Sequence, residues 1–120
     1  MERKDFLRIL SEDDLIRRCL QLCQIVDAPG KYATTGEEDF IIATIKVQRD
    51  LNTRRLFTPR VLEEYKKYGF TRSNVNTKSN NIAKKFLAKR DRGEIFLLPF
   101  LEKVRGNDFE VTMRFQLEKQ

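Results

Sequence analysis

Residues 58–95 read TPRVLEEYKKYGFTRSNVNTKSNNIAKKFLAKRDRGEI, and this stretch decides the fold because it contains the signals for two helices and a turn into β-structure. Thr58 is followed by Pro59, which is the arrangement of an N-cap with proline in the first helical turn. Apolar side chains then recur on one face until Gly69 ends the pattern. The pattern predicts a short helix from Pro59 to Tyr68.

A second helix is predicted after the polar segment 71–74, which has the composition of a turn. The apolar residues that follow share one side at helical spacing, and they are Ile82, Ala83, Phe86 and Leu87. We expect this helix to run from about Thr77 to Arg92, with Gly93 ending it. Its four apolar residues would then face the core.

The pattern changes to the period of β-strands after Gly93. Residues 94–98 form a short apolar run, and residues 109–117 alternate strictly between apolar and polar side chains. A Gly-Asn pair within residues 104–108 is a turn signal, so the sequence predicts a C-terminal β-hairpin with its tip there. Pro99 lacks an amide donor, which favours an edge position or a bend in the first strand.

An amphipathic helix is predicted near the N-terminus, because Ser11 is followed by three acidic residues that can cap free amides and oppose the helix dipole. Apolar residues then fall on one side as far as Val26, and the segment 27–30 ends the pattern. Residues 2–10 also show apolar side chains at helical spacing. They indicate a separate short helix or a segment that folds back on the core.

A further helix is predicted from Glu37 to Leu51, with Thr35 and Glu38 as its capping pair. The residues that follow this pair at helical spacing are Phe40, Ile41, Thr44, Ile45, Val47, Gln48 and Leu51. The β-branched residues within 39–51 would also suit a strand, so the sequence leaves helix and strand open for this segment.

Length and composition favour one domain over residues 1–120, because 40% hydrophobic content in 120 residues suffices for one core and not comfortably for two. Residues 1–30 would form a helical extension of the main body, residues 37–120. No apolar run approaches the roughly 20 residues of a membrane-spanning helix, and the N-terminus lacks the apolar segment of a secretion signal. The chain has no histidine and only two cysteines, so we expect no zinc site.

The positive charge of the chain is concentrated rather than spread. Residues 46–92 contain fourteen basic and four acidic residues, whereas the whole chain has a net charge of +6. Concentrated positive charge is self-repelling in a small folded unit, and an acidic polymer would relieve that repulsion. Nucleic acid is therefore the first candidate partner.

The order of three helices and a β-hairpin, with basic residues over the second and third helices, resembles the winged-helix DNA-binding superfamily over residues 37–120. The resemblance implies an α+β fold, a winged helix-turn-helix with an extra N-terminal amphipathic helix. It also implies a small transcriptional regulator whose third helix enters the major groove of double-stranded DNA. Two features depart from the simplest form: the long connection from Gly69 to Asn76, and the N-terminal helix, whose apolar face is a candidate homodimer interface.

The outer face of the predicted third helix is cationic and rich in amides when Ile82 and Phe86 face the core. Asn81 is the expected base reader, because asparagine can form two hydrogen bonds with adenine. The other expected nucleic-acid contacts on or beside this helix are Arg72, Thr77, Lys78, Lys84, Lys85, Lys89 and Arg92. Lys103 and Arg105, near the predicted hairpin tip, would reach the DNA backbone or narrow groove as a wing does.

Other interpretations of the same residues stay open. A lysine-rich helix face is often only solvated, and the basic surface could instead dock an acidic protein in an assembly module. An enzyme is not expected, because there is no histidine base and the acidic pairs stand at helix starts, where capping explains them. No cofactor, small-molecule ligand or membrane partner is indicated. The expected location is the cytoplasm or nucleoid, or the nucleus in a eukaryote.

Overall fold

The computed structural model describes residues 11–27 and 32–104. These residues form an α+β unit in which four helices precede an antiparallel β-hairpin and one short helix follows it. The helices are α1 (Glu12–Asp27), α2 (Thr35–Leu51), α3 (Pro59–Lys67), α4 (Arg72–Lys84) and α5 (Pro99–Val104). The strands are β1 (Ala88–Asp91) and β2 (Glu94–Leu97), with Ala88 opposite Leu97 and Asp91 opposite Glu94. The segments predicted over residues 2–10 and 109–117 lie outside the described residues.

The N-terminal helix α1 begins where the sequence predicts. The Ser11 hydroxyl accepts a hydrogen bond from the Asp14 amide at 3.1 Å, which is the geometry of an N-cap. Ile16 and Leu20 are fully buried, and α1 packs against α2 and α5. Part of the apolar face considered for a homodimer is therefore used within the chain.

The second helix, α2, is helical throughout the segment for which the sequence left helix and strand open. Its capping box consists of Thr34 and Glu37, so the predicted pair of Thr35 and Glu38 was wrong by one residue. The Glu37 amide donates to the Thr34 hydroxyl at 3.2 Å, and the Glu37 carboxylate accepts from the Thr34 amide at 2.8 Å. Both threonines precede a glutamate by three positions, and only packing decides between them, because Glu38 instead binds Arg17 of α1.

The core is built around α2, which contacts α1, α3, α4 and α5. Packing on several sides explains why every residue of α2 from Phe40 to Ile45 is buried. Phe40 stacks on Tyr65 of α3 with 5.4 Å between ring centroids, and the Tyr65 hydroxyl lies 2.8 Å from the hydroxyl of Thr44. The pKa of Tyr65 is raised, because burial raises it by more than the hydrogen bond with Thr44 lowers it.

Helix α3 confirms the helix that the sequence predicts to begin at Pro59. The Thr58 hydroxyl accepts a hydrogen bond from the Val61 amide at 3.3 Å, as an N-cap does.

The polar turn predicted over residues 71–74 was wrong, because Thr71 is the N-cap of α4 and residues 72–74 are its first helical residues. The Thr71 hydroxyl accepts from the Asn74 amide at 3.2 Å, and Asn74 Oδ1 accepts from the Thr71 amide at 3.1 Å. Asparagine here replaces the usual glutamate of a capping box. The connection from α3 to α4 is therefore only residues 68–71, and the predicted long connection does not exist.

The C-terminal end of α4 lies at Lys84, so the prediction that this helix continues to Arg92 was wrong. Phe86 adopts a left-handed φ of +59°, and the Leu87 amide donates to the Ile82 carbonyl at 2.9 Å, which closes the helix. Glycine usually occupies the left-handed position after a helix, so nothing in the sequence signalled this end. Ile82 and Leu87 are buried as predicted, but Phe86 is 68% exposed.

The hairpin forms earlier in the chain than predicted. Residues 94–98 do contain a strand, β2, but its partner is β1, and the turn between them is Arg92-Gly93 with φ values of +51° and +77°. Positive φ at both central residues is typical of a tight two-residue hairpin turn. Pro99 begins α5 instead of ending a strand, because proline suits the first helical turn. The hairpin tip expected at 104–108 was therefore misplaced.

The other edge of β2 is also occupied. Arg55 forms a β-bridge with Glu94, the Leu56 amide donates to the Gly93 carbonyl at 2.9 Å, and the Ile95 amide donates to the Arg54 carbonyl at 2.9 Å. This bridge fastens the segment before α3 to the hairpin. None of the helices in the described segments is both long and apolar enough to cross a membrane.

Candidate nucleic-acid interface

Helix α4 has a sharply divided surface. Val75, Ser79 and Ile82 are buried against the core at a spacing of four and three. The residues on one exposed row, which we call the α4 ridge, follow one another every fourth position and are Arg72, Asn76, Asn80 and Lys84. Side chains four residues apart are neighbours on a helix, so the ridge is a continuous surface feature.

The chemistry of the exposed side of α4 is uniform. The neighbouring row contains exposed Ser73 and Thr77 and half-buried Asn81, and the helix has no acidic residue. Both ends of the ridge are cationic and its middle consists of two amides. Guanidinium, ammonium and amide groups donate hydrogen bonds, which suits phosphate oxygens and the acceptor atoms of bases.

Arg90 of β1 organises the middle of the α4 ridge. One guanidinium nitrogen, Nη1, donates to Oδ1 of Asn80 at 2.6 Å and to Oδ1 of Asn76 at 3.2 Å. The guanidinium also lies over the ring of Phe57, with its central carbon 5.3 Å from the ring centroid. Sequence reasoning missed Arg90, because it placed this residue in a helix. The strand alternation that brings Ala88 and Arg90 to the same side was the available signal.

Three of the four cations on α1 and α2 bind neighbouring carboxylates, and exposed Arg18 is the exception among these described residues. Arg17 binds Glu38 at 3.1 Å and Asp39 at 2.7 Å. Lys46 binds Asp13 at 2.5 Å, and Arg49 binds Glu12. Hydrogen bonding with Asp39 raises the pKa of Arg17, and hydrogen bonding with Asp13 raises the pKa of Lys46, so these side chains stay charged and paired.

The side of α4 and the hairpin differs, because its cations are mostly not neutralised. Within the described ranges, the cations of this part of the chain that form no salt bridge with a described carboxylate are Arg55, Arg60, Arg72, Lys84, Lys89, Arg90 and Arg92, besides Lys78 on the inner flank of α4. They lie in the bridge segment, at the start of α3, at both ends of the α4 ridge, and on the hairpin. An open cavity of about 560 Å³ lined by Phe57, Arg72, Ser73 and Asn76 adjoins the Arg90 contact.

Two predicted contacts lie on the inner flank of α4 instead of its exposed face. Lys85 donates to the Glu37 carboxylate at 2.5 Å and to the Tyr32 carbonyl at 3.1 Å. Burial alone would raise the pKa of Glu37, but the hydrogen bonds from Lys85 and the Thr34 amide outweigh it and lower that pKa. Lys78 Nζ lies beside Gly36, 2.8 Å from where a Cβ on that glycine would stand. These lysines face the start of α2.

The remaining predicted contacts are divided between the hairpin and α5. Lys89 is exposed on the outer face of β1, opposite Phe96, and Arg92 is exposed at the tip of the hairpin. Lys103 belongs to α5, but its side chain is not among those described, and Arg105 lies outside the described residues. The structure thus brings Arg72, Thr77, Lys84, Lys89 and Arg92 to the exposed surface of α4 and the hairpin.

The part of the chain that the structure describes has no cluster of three carboxylate, thiol or imidazole side chains placed to hold a metal ion. Comparison with protein-family models, with curated proteins and with solved structures gives no significant match to this chain.

Proposed function

We propose that this chain binds double-stranded DNA, with α4 in the major groove and the β1–β2 hairpin against the sugar-phosphate backbone as a wing. The observation that carries the proposal is the contrast between the two sides of the unit. Arg17, Lys46 and Arg49 between α1 and α2 have carboxylate partners, with Arg18 as the exception on α1. The cations on the exposed side of α4 and on the hairpin have no carboxylate partner among the described residues. An array of phosphates would supply the missing negative charge.

The layout of the elements supports a winged-helix-like arrangement. Helices α2, α3 and α4 follow one another, the connection from α3 to α4 spans residues 68–71, and the hairpin follows α4 closely. The long connection that the sequence predicted between these two helices, a departure from the simplest winged-helix layout, is therefore absent between α3 and α4. A helix with the 13 residues of α4 is about 20 Å long, and the major groove is about 12 Å wide, enough to admit a helix.

The proposed contacts fall into two groups. Arg72 and Lys84 at the ends of the α4 ridge, with Lys89 and Arg92 on the hairpin, would bind phosphates and fix the orientation of the protein. Asn76 and Asn80 in the middle of the ridge would approach base edges. Lys85 and Lys78 are left out of the contact set, because they face α2. By analogy with the winged-helix resemblance, the function would be transcriptional regulation or the structuring of DNA.

The proposal is tested by binding to a labelled duplex of mixed sequence, followed by fluorescence anisotropy over a range of salt concentrations. Arg72→Ala and Lys84→Ala should each reduce the slope of log K against log salt by about 0.9, the value for one lost phosphate contact. Arg18→Ala, which removes one exposed cation from α1, is the matched control and should leave the slope unchanged. Equal effects of all three substitutions would contradict the proposed interface.

A second candidate function, docking of an acidic protein, is favoured by one observation. An open cavity of about 660 Å³ lies next to Lys89 and Arg90, and its apolar lining residues are Ala83, Phe86, Ala88, Phe96, Leu97, Leu98 and Pro99. Apolar surface beside unneutralised cations would suit an acidic segment that also carries apolar side chains. This candidate predicts no binding of any duplex at low salt. The DNA proposal predicts binding there.

A further inference from the structure

We infer that the α4 ridge reads guanine in preference to adenine, because Arg90 fixes the amides of Asn76 and Asn80 so that only their donor groups face outward. The inference rests on the proposed function, and it adds the class of base that the helix would recognise. It also assigns Arg90 as a positioning residue, which acts through the two asparagines and not through a contact of its own with DNA.

The orientation of the two amides follows from the chemistry of Arg90. A guanidinium can only donate hydrogen bonds, so the oxygen of each amide, and not its nitrogen, must face it. This requirement removes the usual ambiguity between the oxygen and nitrogen of an asparagine side chain. The contacts of 2.6 Å to Asn80 Oδ1 and 3.2 Å to Asn76 Oδ1 engage both oxygens at the same Nη1 nitrogen. The NH₂ group of each exposed asparagine is then directed away from Arg90.

Arg90 is itself held in place. Its guanidinium lies over the ring of Phe57 at 5.3 Å, and its strand is paired with β2 through Arg90 opposite Ile95. Ile95 is fully buried, so the strand position is fixed by the core. The orientation of the asparagines is therefore set by the packed structure before any ligand binds, which is what selective recognition requires.

The preference for guanine follows from the pattern of groups in the major groove. An asparagine reads adenine by accepting from N6 while donating to N7, and that contact needs the oxygen that Arg90 already holds inward. Guanine presents two adjacent acceptors, N7 and O6, whereas adenine presents one acceptor, N7, beside the N6 donor. A group that only donates is therefore better matched to guanine. Because Asn76 and Asn80 are one helical turn apart, about 6 Å, they would meet bases about two steps apart at 3.4 Å per step.

The experiment compares duplex pools of random sequence that differ in a single ring atom. In one pool 7-deazaguanine replaces guanine, and in the matched pool 7-deazaadenine replaces adenine, so each loses an N7 acceptor without any change of charge. Affinity is measured by fluorescence anisotropy at one fixed salt concentration. The guanine-modified pool should bind about fivefold more weakly than the unmodified pool, the effect of one lost hydrogen bond, and the adenine-modified pool should bind nearly as well as the unmodified one.

Two variants test the role of Arg90. Arg90→Lys keeps the charge but cannot hold both oxygens while lying flat on Phe57, so the difference between the two modified pools should disappear. Arg18→Lys makes the same chemical change on α1 and should preserve the difference. Asn80→Leu removes one of the two amides while Arg90 itself and its contact with Asn76 are retained. It should likewise reduce the difference, which guards against a folding defect in Arg90→Lys.

The outcomes separate the inference from the proposed function. Equal affinity for both modified pools would overturn the guanine preference and leave DNA binding intact. A preference that survives Arg90→Lys in a folded variant would overturn the assignment of Arg90 as the positioning residue. Absence of binding to every pool at low salt would overturn the proposed function, and the inference with it.

Discussion

The ion pair between Lys85 and Glu37 predicts a large effect of a single substitution on stability. Sequence reasoning assigned Lys85 to DNA contact, whereas the structure places its ammonium 2.5 Å from a carboxylate that is only 3% exposed. Lys85→Met keeps most of the aliphatic chain and removes the charge. It leaves Glu37 buried with the Thr34 amide as its remaining donor at 2.8 Å.

The size of the effect can be bounded from the burial of the two partners. Removing one partner from a fully buried ion pair costs about 3–5 kcal/mol, and a hydrogen bond to a charged group contributes about 1.5–3 kcal/mol. The Lys85 side chain is 32% exposed, so solvent screens part of the interaction and the lower range applies. We expect Lys85→Met to lower the free energy of unfolding by about 2–3 kcal/mol at neutral pH.

The assay is urea unfolding followed by far-ultraviolet circular dichroism, at neutral pH and again in acid. The pKa of Glu37 is lowered by folding, so its ionised form stabilises the protein above its ordinary pKa of 4.5. That stabilisation is lost as the pH falls through the lower pKa of the folded state. The difference between the wild type and Lys85→Met should therefore shrink as the pH drops below 4.5.

Two controls make this prediction falsifiable. Lys84→Met changes the adjacent lysine, which is exposed and unpaired among the described residues, and should alter stability by less than about 0.5 kcal/mol. In a Glu37→Gln background, which retains a capping side chain, Lys85→Met should cost less than about 1 kcal/mol. Equal effects of Lys84→Met and Lys85→Met, or an equal cost of Lys85→Met in both backgrounds, would refute a stabilising ion pair between Lys85 and Glu37.

Three further stability predictions use the same unfolding assay. Tyr65→Phe should cost about 1–2 kcal/mol, because it leaves the buried Thr44 hydroxyl without its partner, and adding Thr44→Val should recover part of this; no recovery would argue against the pair. Thr71→Ala removes the capping box of α4 and should cost about 1 kcal/mol, whereas exposed Thr77→Ala should cost less; the reverse order would favour a later helix start. Gly93→Ala places a Cβ at φ +77° and should cost about 1–2 kcal/mol, with Gly93→Asn milder; equal costs would contradict the left-handed turn.

Local signals in the sequence predicted the elements whose ends are fixed by their own side chains. Ser11 and Thr58 cap their helices as expected, because an N-cap depends on residues within one turn. The two ends of α4 are fixed by residue types that are uncommon at those positions. Asn74 serves as the capping-box partner of Thr71, and Phe86 occupies the left-handed position where glycine is usual. Because of these two exceptions, the predicted helix began and ended too late in the chain and included the residues of β1.

Tertiary contacts decide the rest of the candidate site. The exposed positions of Arg72 and Lys84 follow from helical periodicity, so the sequence was sufficient to place them in a basic surface. Lys85 looked equivalent to Lys84, and only the packing of α4 against the start of α2 shows that it binds Glu37. Strand alternation could have indicated the direction of Arg90, but its contacts with α4 and Phe57 follow only from the tertiary packing of β1.

The most direct test of DNA binding by α4 and the hairpin is the salt dependence of binding of the unaltered chain to a mixed-sequence duplex. Four phosphate contacts, from Arg72, Lys84, Lys89 and Arg92, predict a slope of log K against log salt of about −3.6, at −0.9 for each contact. Tight binding at low salt with a slope near this value would support the account. Absence of binding at low salt, or an affinity that does not change with salt, would contradict it.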